Sequence, residues 1–106
     1  MTFEEYQTAA TRVPASLRNN LDRINLPVRG LQEEAGKIGS LLQVMSATGR
    51  LNLSPEQRKE LQDRLSDLLW YVALLGNETG TSLPDIAAYT LMQIQERARH
   101  LDPDQR

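Results

Sequence analysis

Two stretches of this chain carry apolar residues at alternating steps of four and three. Leu31, Ala35, Ile38, Leu42 and Met45 form the first, and Leu61, Leu65, Leu68, Val72 and Leu75 the second. That spacing keeps the side chains on one face of a helix and suits a neighbouring helix at a shallow crossing angle. Both stripes are therefore expected to line the core of a helical bundle. A weaker stripe, Leu83, Ala87, Thr90, Ile94 and Leu101, predicts a further helix towards the C-terminus. No stretch alternates apolar and polar residues, and β-branched residues are scattered, so no sheet is expected.

Local punctuation sets the helix bounds. Thr2 with Glu5 three residues on has the capping-box pattern and opens a first helix. Val13-Pro14 interrupts it, and a helical piece is expected to resume to about Ile24. A second helix is expected from near Pro27 to Thr48, with Gly49 beyond its end. Ser54-Pro55-Glu56-Gln57 is a cap, a first-turn proline and a box glutamine, and starts a third helix reaching about Thr79 before Gly80. Ser82-Leu83-Pro84-Asp85 starts a fourth, ending near Leu101. The expected architecture is all-α, a four-helix bundle in a single domain spanning residues 1–106.

One segment breaks the single-stripe rule. Leu68 to Leu75 is apolar on every side, and Trp70 and Leu74 fall away from the stripe. An uncovered patch of that kind would be sticky, so a second subunit is expected to cover it, giving a dimer or a dimer of dimers.

Composition removes several functions. The chain has 106 residues, with 12 Lys+Arg against 14 Asp+Glu, a formal net charge of -2. A nucleic-acid binder would need a basic face to neutralise phosphates, so none is expected. There are no cysteines, which excludes disulfides, thiolate-held zinc and thiol nucleophiles. The Leu68–Leu75 run is far shorter than the roughly 20 residues that span a bilayer. The acidic start, Met1-Thr2-Phe3-Glu4-Glu5, has no apolar signal core, so a cytoplasmic protein is expected.

Charged residues recur in register on the two central helices. With Leu31 and Leu61 each set at zero, Glu34 and Arg64 lie at roughly 300°, and Lys37 and Asp67 at roughly 240°. All four occupy the same shoulder of two matched stripes, where an antiparallel pair would bring them together at the rim of the core.

Three segments resemble one family. Met1-Thr2-Phe3-Glu4-Glu5-Tyr6-Gln7, then Gly30-Leu31-Gln32-Glu33-Glu34-Ala35-Gly36, then Leu65-Ser66-Asp67-Leu68-Leu69-Trp70-Tyr71-Val72-Ala73 are similar to the MazG-like nucleoside triphosphate pyrophosphohydrolases. Thr81-Ser82-Leu83-Pro84-Asp85-Ile86-Ala87 is similar to the start of that family's last helix. The resemblance implies an all-α dimer, or pair of dimers, that cleaves a nucleoside triphosphate to a monophosphate and pyrophosphate with magnesium. Its metal motif is Glu-x-x-Glu facing Glu-x-x-Asp. Magnesium wants an octahedron of oxygens, which such carboxylates help to fill.

Here the first pair is Glu34-Ala35-Gly36-Lys37 and the second Arg64-Leu65-Ser66-Asp67. Two carboxylates have become cations. Thr90 and Gln93 stand where the family tends to carry Asn and Lys, while Arg97 matches a basic position and is a candidate ligand contact. A divalent ion about 4 Å from one cation meets repulsion of about 8 kcal/mol at an effective dielectric of 20. Salt-bridge pairing of Glu34 with Lys37 and Arg64 with Asp67, or across the helices, is the expected outcome, and magnesium is expected to bind weakly or not at all. A register-shifted site using Glu33, Glu34, Asp63 and Asp67 would restore four carboxylates, with Glu33 and Asp63 near 200° and turned mostly to solvent. Trp70 and Tyr71 are expected to pack, although either ring could stack a base. His100 is expected to be exposed at a helix C-terminus, where its charge suits the dipole.

Two function classes follow. In one, the chain is a MazG-like module without metal chemistry that binds a nucleotide-like ligand or a partner. In the other, it is a working pyrophosphohydrolase with a rearranged carboxylate site.

Overall fold

The computed structural model describes residues 1–12, 19–49 and 52–101. Among them are four helices and no strand: α1 Phe3–Ala10, α2 Asn20–Thr48, α3 Pro55–Thr79 and α4 Leu83–Leu101. The predicted break at Val13-Pro14 lies outside the described residues.

The caps act where the sequence places them. The Thr2 hydroxyl accepts from the Glu5 N–H, and Glu5 Oε1 accepts from the Thr2 N–H. At α3 the Ser54 hydroxyl accepts from the Gln57 N–H at 3.1 Å, and Gln57 Oε1 accepts from the Ser54 N–H at 2.9 Å. Ser54→Ala is expected to cost about 1 kcal/mol, the usual loss for an N-cap, and to lower the melting temperature by about 5 °C. Differential scanning calorimetry checks this. Gly80 closes α3 in the left-handed region, φ 74° and ψ 25°, where a β-carbon would be strained. Ser82 Oγ accepts from the Asp85 N–H at the start of α4.

The start of α2 differs from expectation. The helix begins at Asn20 and runs through Pro27 instead of starting there. An interior proline removes the bond to the carbonyl four residues back, here Arg23, and costs about 3 kcal/mol. Pro27 is fully buried, so packing against the rest of the chain offsets part of that cost.

α2 and α3 form the main helix pair, and they run antiparallel: Glu34 meets Arg64, Gly30 meets Tyr71, and Arg23 meets Glu78. The seam between them is not the pair of apolar stripes. Eight of the ten stripe residues are half-buried and none is fully buried, while Ala35 and Leu65 are exposed, Leu65 to 49%. The buried line lies one residue earlier, through Pro27, Gly30 and Glu34 on α2 and through Leu74 on α3. Small residues explain the offset. Without a side chain, Gly30 lets the Tyr71 ring lie directly against the α2 backbone, so the helices meet on that line.

α1 packs on α3 and on α4. Gln7 is its anchor. The buried side chain donates from Nε2 to the carbonyls of Ala73 and Thr81 at 3.4 and 3.2 Å, and its Oε1 accepts from the Leu83 N–H at 2.9 Å. One amide thus ties α1 to α3, to the α3–α4 turn and to the start of α4. Trp70 Nε1 donates to the Ala10 carbonyl at 3.0 Å. The cover expected from a second subunit at Trp70 and Leu74 is therefore supplied by the chain itself. Trp70 is half-buried and bonded to α1, and Leu74 is only 5% exposed. No helix among the described residues is long and apolar enough to cross a membrane.

Candidate functional site

The Glu34 carboxylate is the centre of the α2–α3 seam. It is only 4% exposed, so it sits in the core and not at the rim that its shoulder angle predicts. Arg64 Nη1 donates to both of its oxygens at 3.4 Å, and Lys37 Nζ lies 3.8 Å from Oε1. Glu34–Lys37 is an i, i+3 pair along α2, while Arg64 reaches across from α3. The Arg64–Glu34 bonds are longer than the 2.7–2.9 Å of strong charge-assisted pairs, and Arg64 Nε is buried with no hydrogen-bond partner. Charge neutralisation is the main effect of this cluster: an unpaired carboxylate at that depth would cost several kcal/mol.

Of the expected pairings, Glu34–Lys37 along α2 and the one across the helices form, and Arg64–Asp67 along α3 does not. Arg64 turns to Glu34, and Asp67, half-buried, has no ion-pair partner among the described residues. The buried carboxylate is the more costly one to leave unpaired, so it draws both cations. Asp67 instead acts on Tyr71. Burial, then the Asp67, Glu34 and Glu33 carboxylates, push the Tyr71 phenol above its ordinary value, so it stays a protonated donor. The Tyr71 and Trp70 rings lie 5.2 Å apart and tilted by 33°. Tyr71 packs on Gly30, as a structural reading predicts.

The register-shifted set does not assemble. Glu33 is exposed, and Asp63 is exposed and held by Lys59 at 3.4 Å. No group of three or more His, Cys, Asp or Glu side chains that could hold a metal exists among the described residues. The donors near Glu34 therefore do not fit magnesium: one carboxylate is saturated by cations, and Asp67 alone cannot supply the oxygen-rich set the ion takes. Arg97 is exposed on α4 and makes no bond to these residues. His100 is exposed as expected, with Nε2 3.2 Å from Glu96 Oε1.

Beside the cluster is an open groove of about 560 Å³, lined by Asp22, Asn25, Leu26, Arg29, Glu33 and Tyr71 over the Gly30 backbone. Its size suits a small molecule. Tyr71 offers a ring and a donor, Arg29 a cation, Asn25 an amide, and Asp22 and Glu33 acceptors. Asn25 and Arg29 escape a sequence reading because polar residues on a helix ordinarily signal only a solvated face. Gln7 escapes it for a related reason: its partners are more than 60 residues away and leave no local trace.

The chain is similar to the Gene 37 protein of Mycobacterium phage L5, 28% identical over 101 residues that cover 92% of this chain and 89% of that protein. No family model matches the chain. No solved structure matches it.

Proposed function

We propose that the chain is a MazG-like domain in which a salt-bridge cluster stands in place of the magnesium site. It acts as a binding module, for a nucleotide-like ligand or a partner, and not as a pyrophosphohydrolase. One observation carries this reading. The carboxylate at the family's first ligand position, Glu34, is buried and held by the chain's own Arg64 and Lys37. The other two ligand positions that have changed are those same cations. Two positive groups within 4 Å of one carboxylate hold the place where a divalent ion would need negative charge.

The antiparallel pairing of α2 with α3 supports the resemblance, since it brings the two motif segments face to face. The adjoining groove supports a retained ligand function. Its ring, amide and guanidinium match the base and phosphate chemistry of a nucleotide, and it does not depend on the metal.

Isothermal titration of magnesium and of manganese, each with and without a non-hydrolysable triphosphate, tests the proposal. The expected result is no protein-dependent metal binding tighter than about 1 mM in either case, once the heat of metal binding to the triphosphate alone is subtracted. Release of pyrophosphate from a nucleoside triphosphate by the wild-type chain with magnesium would overturn it in favour of the rearranged enzyme.

A further inference from the structure

The groove over Gly30 has a charge pattern that restricts what it can hold. Asp22, Arg29 and Glu33 line it from α2. At about 100° per residue these three lie within about 40° of one another, so they form one line along the helix. With a rise of about 1.5 Å per residue, Glu33 follows Arg29 by about 6 Å and Asp22 precedes it by about 10 Å. The one cation of this wall thus stands between two carboxylates. None of the three has an ion-pair partner among the described residues.

The neighbouring cations are already taken. Arg23 faces Glu78 at 4.0 Å, and Lys37 and Arg64 both face the buried Glu34. Among the described residues, Arg29 is therefore the cation of the groove left to meet a ligand. The far wall is negative too. Burial pushes the Tyr71 phenol up, and the fields of Asp67, Glu34 and Glu33 push it further. Carboxylates on both helices thus act on the ring's edge.

Separation decides how much negative charge a ligand can bring here, because Coulomb energy falls as the inverse of distance. A phosphate in contact with Arg29, at about 4 Å, gains one attraction, and a guanidinium can hold it through two parallel N–H bonds. Carboxylates about 6 and 10 Å away together give back roughly the same amount at equal dielectric. The first phosphate is therefore close to neutral for binding. A second or third finds no further cation. Along α2 it runs onto Glu33 in one direction and Asp22 in the other. Towards the α2–α3 seam it meets Lys37 and Arg64, which Glu34 already holds.

The uncharged parts of a nucleoside fare better. The Tyr71 ring and Leu26 offer apolar surface, and Asn25 presents a donor and an acceptor, the pair that a base edge needs. The same carboxylates that repel phosphate accept hydrogen bonds from sugar hydroxyls and base amino groups.

We infer that the ligand of this groove is a nucleoside carrying at most one phosphate, bound without metal, and that triphosphates are disfavoured. The inference rests on the reading of the chain as a module for a nucleotide-like ligand, and it narrows that ligand to its least charged forms. The cations that hold Glu34 act twice: they occupy the place of the metal, and they leave the outer phosphates without a counter-charge.

Nitrogen–proton correlation spectra of the full chain, recorded in EDTA, test this. The titrants are adenosine, guanosine, cytidine and thymidine, each also as its monophosphate and as its triphosphate. At least one nucleoside is expected to shift the Gly30 and Tyr71 amide signals. Its monophosphate is expected to bind within about threefold of it, and its triphosphate at least about tenfold more weakly. Added salt should narrow that gap, since charges this far apart at a surface are screened. Glu33→Gln is expected to strengthen triphosphate binding and spare the nucleoside, and Arg29→Gln to weaken the monophosphate alone. Both side chains are exposed, so neither change touches the core. A triphosphate that binds as tightly as its nucleoside overturns the inference and leaves the binding-module reading standing. No shift with any of these compounds at millimolar concentration overturns the nucleotide-like ligand as well. Shifts that spare Gly30 and Tyr71 overturn the groove as its seat.

Discussion

Gly30→Ala is expected to lower the melting temperature by about 10 °C at fixed protein concentration. A β-carbon at Gly30 would lie 2.6 Å from Tyr71 Cδ2 and closer still to two other ring carbons, inside any distance real atoms adopt. Two effects oppose each other. Alanine improves the helix by up to about 1 kcal/mol. Overpacking of this kind costs up to about 3 kcal/mol. The clash wins because the ring is not a flexible tip. Three of its carbons meet the new β-carbon at once, so relief means turning the whole ring out of the α2–α3 seam. The net loss should be about 2 kcal/mol, from the difference of the two effects. Gly36 provides the contrast. It is in the same helix, and a β-carbon there meets nothing within 4 Å. Gly36→Ala is expected to stabilise by up to about 1 kcal/mol. Tyr71→Ala placed in the Gly30→Ala chain should remove the clash and leave only the helix gain. A double-mutant cycle read by calorimetry separates these contributions. Equal effects of the two glycine substitutions would show that Tyr71 does not set the helix spacing.

The helix ends were legible because their signals are local. Ser54, Gln57, Gly80 and Ser82 act within one turn of where they stand. The two stripes were legible as faces of helices, but periodicity does not say what a face meets. The seam formed one residue away, where Pro27 and Gly30 allow close approach and Arg23–Glu78 and Arg64–Glu34 pair across it. The clustering of Glu34, Lys37 and Arg64 followed from matched shoulder angles. The depth of Glu34 did not, since it depends on which face of α2 is covered. For the same reason Trp70 read as an uncovered ring. Its partner, the Ala10 carbonyl, belongs to a short helix 60 residues earlier. The long run of α2 through Pro27 was hidden by a sound local rule: a proline after a break is ordinarily a helix start.

Replacing both Lys37 and Arg64 by glutamate is expected to have the largest effect of any change in the site. The apo double variant should lose about 3 kcal/mol. That is the lower end for breaking a buried pair, because Arg64 keeps some solvent. The melting temperature should fall on the order of 15 °C at fixed concentration. The cause is specific. Glu34, 4% exposed, loses both cations. Three neighbouring carboxylates then crowd it without counter-charge. Glutamate is as good a helix former as lysine or arginine, so the helices themselves should not suffer. The new side chains leave from the same backbone positions on the same pair of helices, so they project towards Glu34 as the cations do. Neither single change should suffice, since each leaves one cation beside the carboxylate.

Magnesium should reverse that loss in the double variant by mass action, by about 2.7 kcal/mol at one hundred times its dissociation constant. The deciding measurement is therefore a melting series of wild type, Lys37→Glu, Arg64→Glu and the double variant against rising magnesium. If a salt-bridge cluster has taken the place of a metal site, the double variant alone climbs steeply with magnesium, while wild type and both single variants stay flat. A magnesium response in wild type equal to that of the double variant would contradict this account, because Glu34 would then not be the carboxylate that its own cations withhold from metal.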